Sequence, residues 1–510
     1  MRGEFNAADV LLVHAGDASL RAQPAIVQAG RAIGYGELAE LSARVAAALR
    51  GAGLSPGDLV CMLMDDSPMF CATFLGAIKA GLVAIPLNTR LTASDIGFIL
   101  GDSEARLLLF DPAHASLAAQ ATSSARGPRL LAARGDRDSL EARAQHASPM
   151  RVSYPSGATD PAFWLYSSGT TGRPKAILHS HANAAHAGKL LREVAGVRPG
   201  TVILATSKLF FAFALDNAFT GALACGATTI LNEDWPDPET IASQVERYRP
   251  NVFFTVPTFF RRLLALPKEK LAAFSGIPIN ATGGERLPES ILRQWRATVG
   301  TEILVCYGMS ETFCNAISNM PGRMRDGSTG VPLQGVQARI LDADGRETGP
   351  GEPGVLWLRH PSLALRYKDL EATARAFRDG WFCTGDLFTR DADGFYYHQG
   401  RSDELYKVAG QWVKPTELEE AVLADGHVRE AACVVVPDQD GFDRLALFVV
   451  PSDVTGAARP AAERCAGSLP KHSQPKWVRE VAELPRTATG KIQRFRLRAQ
   501  MMAELAQRKP

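Results

Sequence analysis

Tyr166-Ser167-Ser168-Gly169-Thr170-Thr171-Gly172-Arg173-Pro174-Lys175 lies between two apolar runs, Ala162-Phe163-Trp164-Leu165 before it and Ala176-Ile177-Leu178 after it. The first run reads as a strand end, so a hydroxyl- and glycine-rich loop sits between two buried segments. Four Ser/Thr hydroxyls, two glycines and two cations within ten residues suit a polyphosphate. Glycines let backbone N–H groups approach anionic oxygens. The hydroxyls add donors, and Lys and Arg add charge. The stretch is not a Walker loop, because Arg173-Pro174 separates Gly172 from Lys175 and Ala176 follows. An ordinary Gly/Ser/Thr surface loop has the same local composition.

The chain of 510 residues exceeds one typical domain of about 150 residues. Its 46% hydrophobic and 22% charged content is that of a soluble globular protein, and a net charge of +2 points neither to nucleic acid nor to a membrane surface. No run of about 18 uncharged apolar residues predicts a membrane span. The N-terminus, with Arg2, Glu4, Asp9 and Asp17, shows no secretory signal. The eight cysteines form no C-x-x-C pair, which predicts reduced thiols in the cytoplasm and neither disulfides nor a zinc site.

Outward from the central stretch, strand-like and helix-like segments alternate over 37–110 and again over 160–315, the pattern of a doubly wound α/β fold. Residues 120–160, polar and rich in Arg, Ser, Ala and Gly, are expected to be a loosely structured connection. Asp237-Pro238-Glu239 predicts a helix start, and Arg249-Pro250 its end. The apolar runs at 277–280 and 303–306 lead into Gly283-Gly284-Glu285 and Tyr307-Gly308-Met309-Ser310-Glu311-Thr312. Ligands of open parallel sheets bind beyond strand C-termini, so these loops and the central one point to one site. Between 326 and 400, short strand candidates between Asp-Gly and Gly-Pro turns predict an antiparallel sheet or small β-barrel. Asp342-Ala343-Asp344-Gly345 and Asp391-Ala392-Asp393-Gly394 lack the full calcium-loop ligand set and read as turns. After Gly400-Arg401-Ser402-Asp403-Glu404 the α/β pattern resumes. The expected division is a large domain over 1–402 and a small one over 403–510. Lys491, near the end, reads locally as a solvated lysine in a basic tail.

Taken together, the central loop, Tyr307 to Thr312, Thr384-Gly385-Asp386, Gly400-Arg401 with Asp403, and Thr489-Gly490-Lys491 resemble, in order and rough spacing, the acyl-adenylate-forming ligases. The resemblance covers nearly the whole chain. It implies formation of acyl-AMP from a carboxylate and Mg-ATP, then transfer to a thiol, usually coenzyme A. It also implies a large nucleotide-holding domain and a small mobile α+β domain that rotates between the half-reactions. By the same resemblance Ser167, Ser168, Gly169, Thr170, Thr171 and Lys175 bracket the ATP phosphates. Gly283, Gly284, Glu285 and Tyr307 belong to the nucleotide site, Thr312 meets a phosphate, and Glu311 helps hold Mg²⁺. Asp386 accepts from the ribose hydroxyls, with Arg401 near the same sugar and phosphate. Lys491 bridges carboxylate and α-phosphate, and Asp403 is the hinge. Attack of one anion on another needs cations and donors aimed at the developing charge, and no protein nucleophile.

Lys208 to Asn217 resembles the corresponding segment of benzoate-type CoA ligases. Phe211, Ala212 and Phe213 form aromatic walls broken by an alanine, a flat slot that suits a ring; core packing of the phenylalanines is the plainer alternative. Gly308 and Cys314 complete the expected substrate set. Benzoate ligases have a histidine about where Cys314 falls, so Asp216, Cys314 or Asn315 could admit a ring amino or hydroxyl group. His179-Ser180-His181 lacks a third metal ligand and is expected to be structural. Lys407 to Trp412 resembles the loop that reaches the site for thioester formation, with Lys407 and Gly410 on the CoA side. The expected partners are thus a small aromatic carboxylate and CoA, with no nucleic acid and no membrane; a homodimer is compatible. The rivals are an adenylation enzyme that loads a carrier-protein thiol and a catalytically dead acyl-nucleotide sensor.

Overall fold

The two apolar runs that flank the central stretch pair with each other. Pro161–Ser168 and Pro174–Ser180 form an antiparallel ladder in which Ser168 faces Pro174 and Ser167 faces Lys175. The computed structural model describes residues 5–123, 127–168, 174–402, 406–408, 411–413, 415–439, 442–452, 458–486 and 492–507. Gly169, Thr170, Thr171, Asp403, Gly410 and Lys491 lie outside these residues.

The chain divides into two compact units. In the first, made of Met1–Arg339, Trp357–Cys383 and Asp391–Tyr397, the hairpin belongs to a seven-stranded sheet. Inside it runs Leu59–Leu63, paired in parallel with Val83–Pro86 on one side and Leu107–Phe110 on the other. A strand covered on both faces needs apolar residues at successive positions, and Val60 to Leu63 are all fully buried. The adjoining helix Pro68–Lys79 starts at Ser67, whose hydroxyl accepts from the Phe70 N–H.

Residues 120–160 are more ordered than their composition suggests. Arg129–Ala132 pairs in parallel with Leu107–Phe110 as the sheet's outer strand, and Leu140–His146 is a helix capped by Ser139. An edge strand needs little apolar sequence, because its neighbour's backbone supplies the ladder.

The second sheet of this unit has nine strands. Its parallel core includes Val202–Ala205, Val252–Thr255, Ile279–Thr282 and Ile303–Tyr307. The helix Pro238–Tyr248 begins where expected. Asp237 accepts from the Thr240 N–H, Ile241 and Val245 face the core, and Arg249 ends the helix in a left-handed conformation. Phe253, Phe260, Phe274 and Trp295 interlock edge to face beneath the sheet. Each fully buried ring of this kind contributes about 1.5–3 kcal/mol.

A five-stranded sheet built from Gln337–Leu341, Gly354–Arg359, Phe377–Arg378, Trp381–Arg390 and Tyr396–Arg401 stands where the sequence changes texture. Both Asp-x-Asp-Gly segments are turns. Asp342 and Asp391 accept from nearby backbone N–H groups. Arg325 occupies the Asp391 and Asp393 carboxylates.

In the second unit, Val428–Pro437, Asp443–Pro451 and Trp477–Glu480 make a three-stranded sheet. Its side chains alternate over 431–436 and 445–450. Cys433, Val435, Leu447 and Val449 pack in a cluster with Leu418 and Ala462 of the helices Pro415–Leu423 and Ala458–Gly467. Val434, Val436, Ala446 and Phe448 pack instead with Leu497 and Met501 of Arg494–Gln507. A period of two puts neighbouring residues on opposite faces, so a sheet with helices on both faces is apolar throughout.

Candidate active site

Lys175 leaves the central hairpin with its ammonium 3.2 Å from Glu311 Oε1. The same oxygen accepts from the Tyr367 hydroxyl at 2.8 Å. The Lys175 Nζ also lies 3.7 Å above the centroid of the Tyr367 ring. Tyr367 reaches this point because Arg366–Tyr367 pairs with the outer hairpin strand, Tyr367 opposite Ile177. Glu311 is buried, so its charge requires these donors. The expected phosphate lysine and the expected metal carboxylate are thus together. Tyr367 is a third member that no motif indicated. Ser167 is half-buried at the hairpin end, and Ser168 closes its strand.

Thr312 differs from expectation. It is fully buried, and its hydroxyl accepts from the Met309 N–H and lies 2.9 Å from the Cys314 carbonyl oxygen. Those bonds hold the loop's own backbone and leave no polar atom for a phosphate. Ser310, beside Glu311, is half-buried, and its carbonyl accepts from His179 Nε2. Ser310 is thus the less buried of the loop's two hydroxyl residues. Gly308 permits the tight course of the loop, since a Cβ there would stand 3.0 Å from the Asn315 Cα. His179 stacks on Phe163 at 4.7 Å, and His181 Nδ1 accepts from the Ala7 N–H. Burial lowers both imidazoles to about 4, so both are neutral structural groups.

Gly283 and Gly284 follow the Ile279–Thr282 strand, with Glu285 half-buried beyond. A Cβ on Gly283 would meet the Cys306 carbonyl at 3.0 Å and the Phe213 ring at 3.3 Å, so the strand-end loop lies against the aromatic wall. Tyr307 is half-buried at the end of the next strand. Within the wall, Phe211, Ala212 and Phe213 are half-buried, while Phe210 is buried beneath them. Phe213 stands perpendicular to Phe254 at 5.7 Å. Ala212–Ala214 is a short helical turn, and Leu215–Thr220 continues it as a π-helix. The Thr220 hydroxyl donates to the Leu215 carbonyl five residues back, which holds the wider turn.

Behind the wall lies a polar layer. Asp216 is fully buried, and one carboxylate oxygen accepts from the Gly188 N–H at 2.8 Å. Burial pushes its carboxyl up to about 7. Cys314 is likewise fully buried, its thiol donating to the His186 carbonyl, so it packs behind the wall and offers no accessible thiol. The Asn315 side chain donates to Asn217 Oδ1, and Asn217 Nδ2 donates to the Phe213 carbonyl.

In the second unit, Arg401 donates from Nη1 to Asp386 Oδ1 at 3.1 Å and to the Thr384 carbonyl at 3.0 Å. The Thr384 hydroxyl accepts from the Asp386 N–H. Asp386 and Arg401, 15 residues apart, are thereby joined. Lys407 lies in a two-stranded hairpin, opposite Trp412. Arg486 and Ile492 form an antiparallel bridge at either end of the segment that carries Lys491.

The model of the AMP-binding enzyme family matches residues 16–368, and that of the AMP-binding enzyme C-terminal domain matches residues 417–491. The chain belongs to the AMP-binding enzyme family. A 3-hydroxybenzoate–CoA ligase of Aromatoleum sp. (strain CIB) is 39% identical, over 98% of this chain and 98% of that one. A solved benzoate CoA ligase from Burkholderia xenovorans LB400 is 32% identical and superposes with a TM-score of 0.87, over 97% of this chain and 100% of that one. A solved anthranilate CoA ligase, in complex with anthranoyl-AMP, is 29% identical with a TM-score of 0.89, over 99% of each chain.

Proposed function

We propose that this AMP-forming acid–thiol ligase activates a small aromatic carboxylate, benzoate or an amino- or hydroxy-substituted benzoate, as its acyl adenylate and passes the acyl group to CoA. The observation that carries this reading is one unit bearing both the Lys175–Glu311–Tyr367 cluster and, against the Gly283 loop, the Phe211–Ala212–Phe213 wall. A cation poised on a buried carboxylate is chemistry for phosphates. A half-buried aromatic wall broken by an alanine is chemistry for a ring.

In this mechanism the hydroxyls of the central loop and Lys175 bind the ATP phosphates, and Ser310 takes the phosphate contact expected of Thr312. The Gly283–Glu285 loop lines the adenine. Asp386, oriented by Arg401, accepts from the ribose hydroxyls. Glu311 fits Mg²⁺, an ion that takes one or two carboxylates and otherwise phosphates and water. Glu311 would hold the ion, which when bound would neutralise charge on the phosphates. Lys491 brings positive charge to the carboxylate as it attacks the α-phosphate, and pyrophosphate leaves. The pantetheine thiol then attacks the acyl carbonyl beside Gly410 and Lys407, and AMP leaves. The hinge at Asp403 separates a 1–402 body from a 403–510 domain. All eight cysteines are free thiols, which fits a reducing cytoplasm, and no described helix is long and apolar enough to cross a membrane.

The test is pyrophosphate release with benzoate, aminobenzoates, hydroxybenzoates, cinnamates and short fatty acids, each with CoA as acceptor. Benzoates are expected to give the highest kcat/KM. Preference for a short fatty acid would overturn the reading.

A further inference from the structure

Lys208 precedes the aromatic wall and is one of the largest fully buried side chains of the protein. Its ammonium lies 2.5, 2.8 and 3.3 Å from three successive carbonyl oxygens, those of Asn232, Glu233 and Asp234. Asp66 Oδ2 stands 3.4 Å away. An ammonium has three N–H donors, and here three carbonyls of one backbone segment and the Asp66 carboxylate surround it. Asp66, just beyond the C-terminal end of the Leu59–Leu63 strand, accepts the Leu209 N–H on its other oxygen at 3.0 Å. Lys208 and Leu209 are thus tied both to the first sheet and to the 232–234 segment.

What these ties hold is aromatic. Trp235 follows the three carbonyls, and its ring lies 6.1 Å from that of Phe210. Phe210 in turn meets Phe211 edge to face at 4.6 Å. The Arg90 guanidinium covers the Trp235 ring at 3.6 Å. A fully buried ion pair is weak evidence for stability, since desolvation offsets much of its attraction. What it supplies is geometry: three carbonyls converge on one point only while a cation sits there.

We propose that the Lys208–Asp66 pair is a positioning device for the acyl pocket, which sets the Leu209–Phe211 turn and the Trp235 segment so that the aromatic wall is formed before the acid binds. A preformed wall spares the substrate the cost of ordering it, so the pair acts on recognition of the acid and leaves ATP binding alone. The inference rests on the aryl-acid reading above.

The experiment compares wild type, Lys208→Met, Asp66→Asn and the double variant, which removes both charges together. For each, KM for benzoate, 3-hydroxybenzoate, hexanoate and ATP is measured from pyrophosphate release, beside a thermal melt. The expected result is a rise of about tenfold or more in KM for the aromatic acids in Lys208→Met and in the double variant. KM for ATP should stay within about twofold, and selectivity for benzoate over hexanoate should fall. Unchanged KM for the aromatic acids, or equal rises for acid and ATP, would overturn the proposal. If Lys208→Met does not fold, the double variant decides; if neither folds, the pair is a folding element and the proposal fails. A wild type inactive on every aryl acid would overturn the functional reading itself, whereas an active wild type with unshifted variants overturns only the positioning role.

Discussion

Tyr367 gives Glu311 a hydrogen bond and Lys175 an aromatic face, so one side chain orients both charged groups of the proposed phosphate site. A hydrogen bond to a buried carboxylate contributes about 1.5–3 kcal/mol. Tyr367→Phe keeps the ring and deletes that bond. It should raise KM for Mg-ATP about tenfold and leave KM for the aryl acid nearly unchanged. Steady-state pyrophosphate assays at varied ATP check this, and an unaltered KM would remove Tyr367 from the site. A second residue-scale expectation concerns Asp216. Its carboxyl, near 3.8 in the unfolded chain, is pushed up to about 7 in the fold by burial. The folded state therefore holds a proton that the unfolded state releases. Stability is greatest at low pH on this account and falls as pH rises from about 4 to 7, on the order of 4 kcal/mol in all. Asp216→Asn should raise Tm more at pH 8 than at pH 5, in parallel melts. Asp66, also raised by burial, to about 6, should leave a smaller slope in the same direction. Equal shifts at both pH values would show that Asp216 is not the titrating group.

At the scale of elements, the wall depends on a helical turn that widens into a π-helix, pinned by the Thr220 hydroxyl and by Asn217 on the Phe213 carbonyl. Ala212 opens this wall between two rings. Ala212→Leu should fill the slot, and overpacking of this kind typically costs about 1–3 kcal/mol. The expected outcome is a larger loss of kcat/KM for ring-substituted benzoates than for benzoate, and a smaller one still for hexanoate. Equal losses for hexanoate and the benzoates would place Ala212 outside the pocket. Signals that act within one turn were legible at this scale, as the Asp237 cap and the Arg249 stop illustrate. The Arg129–Ala132 strand was not, because its formation depends on an edge offered by Leu107–Phe110 and hardly on its own side chains. The burial of the Thr312 hydroxyl within its own loop was not legible either, for a related reason. A motif orders hydroxyls along the chain, whereas the turn of the backbone decides which one faces outward.

For the whole molecule, the expectation concerns the division of labour along the chain. If Lys491 serves adenylation and Gly410 serves thioester formation, their variants should fail in opposite halves. Lys491→Ala should lose pyrophosphate release by several orders of magnitude yet make thioester from supplied acyl-AMP and CoA. Gly410→Leu should release pyrophosphate once per site and then stall, since a side chain there would fill the path of the pantetheine arm. Asp403→Pro, which restricts the φ change of a hinge, should spare only one half-reaction. Single-turnover pyrophosphate release, measured beside thioester formation from synthetic acyl-AMP, separates them. Equal impairment of both halves by Lys491→Ala and Gly410→Leu would overturn the two-step division.

The sequence by itself determined the family, through the order of its motifs, and with it the α/β architecture. It also marked the hairpin around the central loop, because apolar runs and a Gly/Ser/Thr turn are local properties of adjacent residues. Only the tertiary structure decided that Lys175 meets Glu311, 136 residues away, that the Tyr367 hydroxyl bonds the same carboxylate, and that Lys208 gathers three carbonyls from another segment. Those meetings follow from strand order and register in the sheets. A one-residue change of register would turn Tyr367 to the opposite face, although its place in the chain would be the same.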